Sequence, residues 1–521
     1  MGLRLDTNLT ERITTYYKDH PLRIILLAGL FFRLLAVIFS KGFGWIDDQF
    51  LVVEIAQSWV DGTDYYGWLP DEQGINVPKG FSFFYVSLHY LIFKFLELIK
   101  MTDAQSKMYI VRLLHALWSL LIISGGYIIV KKLSTDSAAR LAGWLLALLW
   151  FFPFLSVRNL VEFVSIPFLI WGVQKIITDT KRNRHFYWLW IGILFGLAFN
   201  IRYQTMLFTG GVGLVLLFQR KWLETFLVAA GILLTILIFQ GIVDYLIWDE
   251  AFIQLQGYIN YNIQHATEYL TAPWYFYLIV ILGLLVPPVS FYLAMGFFKS
   301  WKKTLIFFIP TLIFIIFHSV FPNKQERFII TIIPFIIIGG MIGWHQIIKN
   351  IEDKPTQLKW HRASWIFFWI INFILLIPVS TMYSKKARVE AMVYLSQYDD
   401  LKYFIVDDVN KSVLRAPPIF YLDNWAHYTA LMEYDDLDAF KEQPKWKNIA
   451  KQPGFVIFME SKNINSRVAF MSSVFPGLTF EKLIEPGMMD RVLHWLNPIN
   501  DNQNIIIYRN TAIYPDQLSD E

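Results

Sequence analysis

The chain has 521 residues, enough for roughly two or three soluble domains, but 55% hydrophobic and 17% charged residues exclude a wholly soluble protein, because soluble domains carry about 25% charge. A net charge of +4, with no basic block interleaved with aromatics in a polar segment, argues against a nucleic-acid partner. The absence of cysteine excludes disulfides, a thiol nucleophile and thiolate metal ligands.

Segment 1–21 is too long and too acidic for the start of a signal peptide, and no small-residue cleavage site follows 22–40, so 22–40 is read as a retained first membrane span. Apolar windows near 108–130, 138–157, 159–177, 186–200, 204–219, 222–243, 273–297, 304–321, 328–348 and 363–382 bring the expected total to about eleven spans. Segment 81–99 is apolar but holds His89, Lys94 and Glu97, so it can cross or lie along the interface. Loop charge separates the two. If 81–99 lies flat on the outer surface, the clusters Lys131/Lys132/Arg140, Lys175/Lys181/Arg182/Arg184, Arg220/Lys221, Lys299/Lys302/Lys303 and Lys349/Lys354/Lys359/Arg362 all fall inside. That is the positive-inside rule; a crossing would move every cluster outside.

After 383 the chain turns polar, with strand-like runs at 403–406, 455–459 and 505–508 and a helical stretch at 389–397. The expected fold is an all-α polytopic membrane protein over 1–383, with juxtamembrane helices in its first outer loop, 41–107. A soluble outer-face α/β domain over 384–521 follows. No repeat or low-complexity tract is present.

This orientation places Asp47, Asp48, Glu54, Arg112, Arg158, Glu162, Arg202, Asp244, His265, Glu268, Lys324, Glu326 and Arg327 at or near the outer ends of spans. A charge at a span centre costs about 2.5–3.5 kcal/mol on insertion scales, so such groups face a water-filled cavity or a partner; the bland alternative is snorkelling at helix ends. Three constellations stand out. Trp45-Ile46-Asp47-Asp48-Gln49-Phe50, with Glu54 following, can cap a juxtamembrane helix, provide a general base or bind a divalent cation. In Pro322-Asn323-Lys324-Gln325-Glu326-Arg327-Phe328, Lys324 and Arg327 share a helical face and can grip a phosphate or anchor the interface. In Tyr261-Asn262-Ile263-Gln264-His265-Ala266-Thr267-Glu268-Tyr269, with Thr271-Ala272-Pro273-Trp274-Tyr275-Phe276-Tyr277 after it, aromatic density reads as an interfacial belt, and the polar strip also suits sugar hydroxyls. No HExxH, G-x-S-x-G, P-loop or Rossmann glycine pattern stands in a supporting context.

In this order the motifs resemble the GT-C glycosyltransferases, most closely the family-twenty-two α-mannosyltransferases of N-glycan and GPI-anchor assembly. The family's first-loop His-Pro-Asp-Glu is matched by Trp45-Ile46-Asp47-Asp48, with Glu54 beyond. Val111-Arg112-Leu113-Leu114-His115-Ala116-Leu117, Arg158-Asn159-Leu160-Val161-Glu162, Gly196-Leu197-Ala198-Phe199-Asn200-Ile201-Arg202 and Ala272-Pro273-Trp274-Tyr275-Phe276-Tyr277 follow in family order. The His-Lys-Glu-x-Arg-Phe box corresponds to Asn323-Lys324-Gln325-Glu326-Arg327-Phe328. The resemblance covers about 22–340; it departs from the family at Trp45-Ile46, Asn323 and Gln325.

The resemblance implies an inverting mannosyltransferase using a polyprenyl-phosphate sugar donor and a glycan, glycolipid or glycoprotein acceptor, with the lipid bilayer as a further partner. It makes Asp47 the base, beside Asp48, and assigns the donor phosphate to Lys324, Arg327, Arg202 and Arg158. Glu54, Glu162, His265 and Trp274 become substrate contacts. The scheme requires no metal, although Asp47, Asp48 and Glu54 can hold Mg²⁺ or Mn²⁺ through oxygen. The expected location is the bacterial inner membrane with a periplasmic site, or the ER membrane with a lumenal one. Rival readings are a protein O-mannosyltransferase, an aminoarabinose-type lipid A transferase, or a secondary transporter; a transporter would show matching halves with midplane sites.

Overall fold

The computed structural model describes residues 15–178, 185–268, 270–498 and 500–515. Lys181, Arg182, Arg184 and Tyr269 therefore lie outside the described residues. By compactness the chain forms two units, one from 1–38, 66–88 and 110–381, the other from 39–65, 89–109 and 382–521.

Among the described residues, seven helices are apolar and long enough to cross a bilayer: Pro21–Phe39, Ala104–Leu133, Val161–Thr178, Trp222–Trp248, Trp301–Val320, Glu326–Lys349 and Pro355–Ser380. The pair Phe276–Leu284 and Val289–Lys299, bent by 114°, makes eight if counted as one span. His185–Ile201 and Tyr203–Phe218 are shorter apolar helices. The count falls below the about eleven apolar windows because hydropathy does not register backbone breaks. The 138–157 window is the clearest case: Asp136–Leu148 has only 13 residues and stops ahead of Pro153. Asn372 repairs that break, its Nδ2 donating to Leu148 O at 2.8 Å and its Oδ1 accepting from Trp150 N at 2.9 Å. Apolar surroundings demand such internal satisfaction of backbone groups.

Segment 81–99 contains the helix Phe83–Leu98, which is not among the spanning helices. It exposes Leu88, Leu91, Phe95 and Leu98 while burying Phe83, Val86, His89 and Phe93. Within the first span Arg33 is fully buried, with Nε donating to Ser119 Oγ at 2.7 Å and Nη1 to Gly29 O and Ala147 O at 3.1 Å. Its charge is thereby met by carbonyl dipoles. Where Val289–Lys299 crosses Ile333–Lys349, a Cβ at Gly296, Gly340 or Gly343 would collide with the facing backbone. Small residues allow this approach of helix on helix.

The second unit holds a five-stranded sheet, β1 (Tyr403–Asp408), β2 (His427–Met432), β3 (Phe455–Met459), β4 (Leu478–Ile484) and β5 (Ile505–Asn510), in the order β2-β1-β3-β5-β4. β1 runs parallel to β2 and β3, and β5 antiparallel to β3 and β4. Ile405, Leu431, Phe440, Trp446, Val456, Phe458, Phe475 and Ile506 form its core. Strand-like runs in the sequence marked β1, β3 and β5, which are apolar and interior; the edge strands β2 and β4 carry polar residues and escaped them. In the same unit Ser384 N donates to Lys41 O at 3.1 Å, joining the chain just past the first span to the chain just past the last.

Candidate active site

Two clusters of polar side chains, one in each unit, contain most of the residues singled out from the sequence. In the second unit Trp45 is extended, with φ −114° and ψ 160°, and precedes a turn of helix at Ile46–Asp48. Trp45 therefore occupies the cap, and Asp47 and Asp48 lie in the first turn, where the helix dipole favours negative charge. A π-helical turn, Gln49–Val53, and the helix Glu54–Val60 follow. Such turns recur at functional sites because they re-aim side chains. Across this one Gln49 Nε2 donates to Glu54 Oε1 at 3.2 Å. Asp47 is half-buried, Asp48 is buried and Glu54 is fully buried.

Next along this loop a network appears that the sequence did not signal. Gln57 Nε2 donates to Asp61 Oδ1 at 2.9 Å and Glu97 Oε1 at 2.8 Å, and buried Lys107 pairs with Glu97 at 3.0 Å. Trp425 Nε1 donates to Asp61 Oδ2 at 2.8 Å. Burial pushes the Asp61 carboxyl above its ordinary pKa, against hydrogen bonds from Trp425 and Gln57 that lower it.

In the first unit three helical segments each begin after an extended residue, namely Leu160, Arg202 and Gln325. Glu162, Arg202 and Arg327 stand at these starts and their side chains meet. Glu162 Oε1 lies 3.8 Å from Arg202 Nη2 and 3.9 Å from Arg327 Nε. All three residues are at most 8% exposed. At these distances the ion pairs are not direct hydrogen bonds; neutral acceptors hold the guanidiniums. Arg202 donates to Gln204 Oε1 at 3.1 Å, to Phe328 O at 3.1 Å and to Thr331 Oγ1, while Thr331 donates to Glu162 O at 3.0 Å. Arg327 Nε donates to Gln325 Oε1 at 2.8 Å. Both guanidiniums also face the Phe328 ring, at 5.9 and 5.6 Å. Glu162 Oε2 is buried without a hydrogen-bond partner.

Lys324 is 3% exposed, and burial pulls its ammonium pKa below the ordinary value. Its backbone N donates to Leu270 O at 2.9 Å, beside the Thr271–Asn323 antiparallel bridge. Arg158 is buried, its guanidinium 4.4 Å from the Phe154 ring centroid. Among the described residues His265 and Trp274 make no hydrogen bond or ion pair with this cluster. His265 stacks on Tyr261 at 4.3 Å and faces Glu268 at 3.8 Å, and Trp274 is 66% exposed. Tyr277, from the same stretch, and Tyr258, just ahead of it, do reach it. Tyr277 is fully buried with its hydroxyl 3.3 Å from both Gln325 O and Gln325 N, and the Tyr258 side chain bonds Gln204. His318 completes the cluster, its Nε2 3.3 Å from Gln204 Oε1.

The carboxylate of Glu162 thus stands within 4 Å of two buried guanidiniums. Paired guanidiniums suit an anion with several acceptor oxygens. Among the described residues no group of three or more His, Cys, Asp or Glu side chains is arranged to hold a metal ion.

Comparison with known proteins follows the same lines. Residues 24–428 match the model of the Alg9-like mannosyltransferase family. No curated protein sequence matches the chain. Among solved structures, apo ArnT from Cupriavidus metallidurans aligns with TM-score 0.62 at 13% identity, over 95% of this chain and 99% of that one. The same protein bound to undecaprenyl phosphate aligns with TM-score 0.61 at 14% identity, over 94% and 97%. The Archaeoglobus fulgidus oligosaccharyltransferase in complex with Zn and sulfate aligns with TM-score 0.53 at 14% identity, over 89% and 72%. At these identities the likeness is one of fold, the GT-C fold.

Proposed function

The chain belongs to the Alg9-like mannosyltransferase family, membrane glycosyltransferases of GT-C fold, and on that premise we propose that it moves mannose from a polyprenyl-phosphate donor to a hydroxyl of a glycan, glycolipid or glycoprotein on the outer face of the membrane. The observation that carries the donor class is the meeting of two buried guanidiniums, Arg202 and Arg327, beside the Glu162 carboxylate. Undecaprenyl phosphate in the similarly folded ArnT agrees with a lipid phosphate as its occupant.

The reaction is an inverting displacement. The acceptor oxygen forms a bond to the anomeric carbon while the bond to the phosphate oxygen breaks, its electron pair leaving with the lipid phosphate. Asp47 takes the acceptor proton. Arg202, Arg327 and Lys324 stabilise the charge that grows on the phosphate, a contribution made in the transition state and therefore to rate. Gln204, Thr331 and Gln325 hold the two guanidiniums beside the Glu162 carboxylate. No step needs a metal; dependence on Mg²⁺ or Mn²⁺ is read by chelation in the same assay.

The test is incubation of the purified protein with a panel of polyprenyl-phosphate sugars and mass analysis of lipid and glycan products. Consumption of the mannosyl donor with release of free polyprenyl phosphate is the expected result; consumption of only an aminoarabinose donor, or of none, overturns it. In that assay Arg327→Lys should clearly reduce transfer at unchanged melting temperature, because it keeps the charge but loses the planar fork. Full activity would assign Arg327 to interfacial anchoring instead.

The outer-face assignment rests on the basic loops. In this cysteine-free chain a cysteine at exposed Ser473 should react with an impermeant thiol reagent from outside intact cells. One at exposed Gln219, beside Arg220 and Lys221, should not. The reverse pattern would put the soluble domain inside.

A further inference from the structure

We propose that the helix Met488–Leu496 lies in the surface of the lipid bilayer, with its apolar face at the boundary between headgroups and acyl chains. This helix is inside-out for a soluble domain. At 3.6 residues per turn Met488, Val492, Trp495 and Leu496 fall on one face, and they are 72%, 38%, 80% and 65% exposed. Asp490 points the opposite way and is 1% exposed, its carboxylate accepting from the backbone N–H groups of Lys385 and Lys386 at 3.2 Å and of Gly487 at 3.3 Å. Soluble surfaces hydrate Asp and bury Trp and Leu. The reversed pattern is stable when apolar matter meets the outer face.

The partners of Asp490 identify that matter. The last membrane helix ends at Ser380, and the chain from there to Lys385, if fully extended, reaches no more than about 18 Å. A second tether is shorter: Ser384 N donates to Lys41 O at 3.1 Å, and Lys41 follows closely on Phe39, the last residue of the first span. The helix is thus held through its buried face to two chain segments that leave membrane spans within a few residues. Its composition matches the interface. Trp495 is the residue type favoured at headgroup level.

The test uses single cysteines at Met488, Trp495 and, as a control, Ser473, each carrying a nitroxide, in the full-length protein reconstituted into phosphatidylcholine–phosphatidylglycerol vesicles. Power-saturation EPR compares accessibility to oxygen, which partitions into lipid, with that to a water-soluble nickel chelate. Labels at 488 and 495 should shift strongly towards oxygen, and the label at 473 towards nickel. Leu496→Cys repeats the measurement on the same face, so the result does not hang on one variant. Nickel accessibility at 488, 495 and 496 equal to that at 473 would overturn the proposal. So would low access to both reagents with dipolar broadening between labels, which would show a second copy covering the face.

Discussion

Replacing Asp47 by asparagine should lower mannose transfer about 10²–10⁴-fold, the range typical for loss of a general base. Asparagine keeps the size and polarity of the side chain and still suits the first turn of a helix, so the loss should fall on turnover with little change in donor binding or melting temperature. Asp48→Asn separates the two neighbours. Asp48 is 4% exposed whereas Asp47 is half-buried, so the Asp48 change should affect folding more than transfer per folded molecule. Single-turnover transfer with detergent-solubilised protein, normalised to folded protein, reads both. Parental transfer by Asp47→Asn would remove it from the base position.

Replacing Glu162 by glutamine should destabilise the protein by about 3–5 kcal/mol, the range for stripping one partner from a buried ion pair. The reason is the unusual sharing. One carboxylate stands near 4 Å from two buried guanidiniums, and each such interaction amounts to about 4 kcal/mol at an effective dielectric of 20. Neutralising Glu162 leaves two like charges facing each other without it. Adding Arg327→Met to Glu162→Gln should recover part of the melting temperature, because the second change removes one of the two like charges that then face each other. A saturating donor lipid should likewise raise the melting temperature of the single variant, its phosphate taking the place of the lost carboxylate. An unchanged melting temperature in Glu162→Gln would show that water already screens the cluster.

The membrane class and the polar C-terminal region were legible in the sequence because both rest on composition. The span count was not, since hydropathy averages through the break between Leu148 and Trp150, and the repair comes from Asn372, far along the chain. Edge strands β2 and β4 escaped because one side of each is open and tolerates polar residues such as His427, Glu481 and Lys482. For the site, Glu162, Arg202 and Arg327 could each be named from charge placed near a span end, but their meeting depends on tertiary contacts between distant segments. Gln204 and Thr331 carry no local signal, being ordinary polar residues at helix starts. Tyr277 stood in a quoted motif beside the more conspicuous Trp274; one is fully buried and the other mostly exposed, a difference that residue type alone does not encode.

The glycine contact between Val289–Lys299 and Ile333–Lys349 bears on how the enzyme can move during a reaction cycle. Shear between helices works by interdigitated side chains slipping past one another in small steps. At Gly296, Gly340 and Gly343 no side chains stand in the gap, and backbone meets backbone. Such a joint has no intermediate layer to deform, so the two helices travel together as one mechanical part. Arg327 lies at the start of the segment Glu326–Lys349 and is carried by that part. An opening that admitted the proposed lipid-linked donor would then have to flex elsewhere.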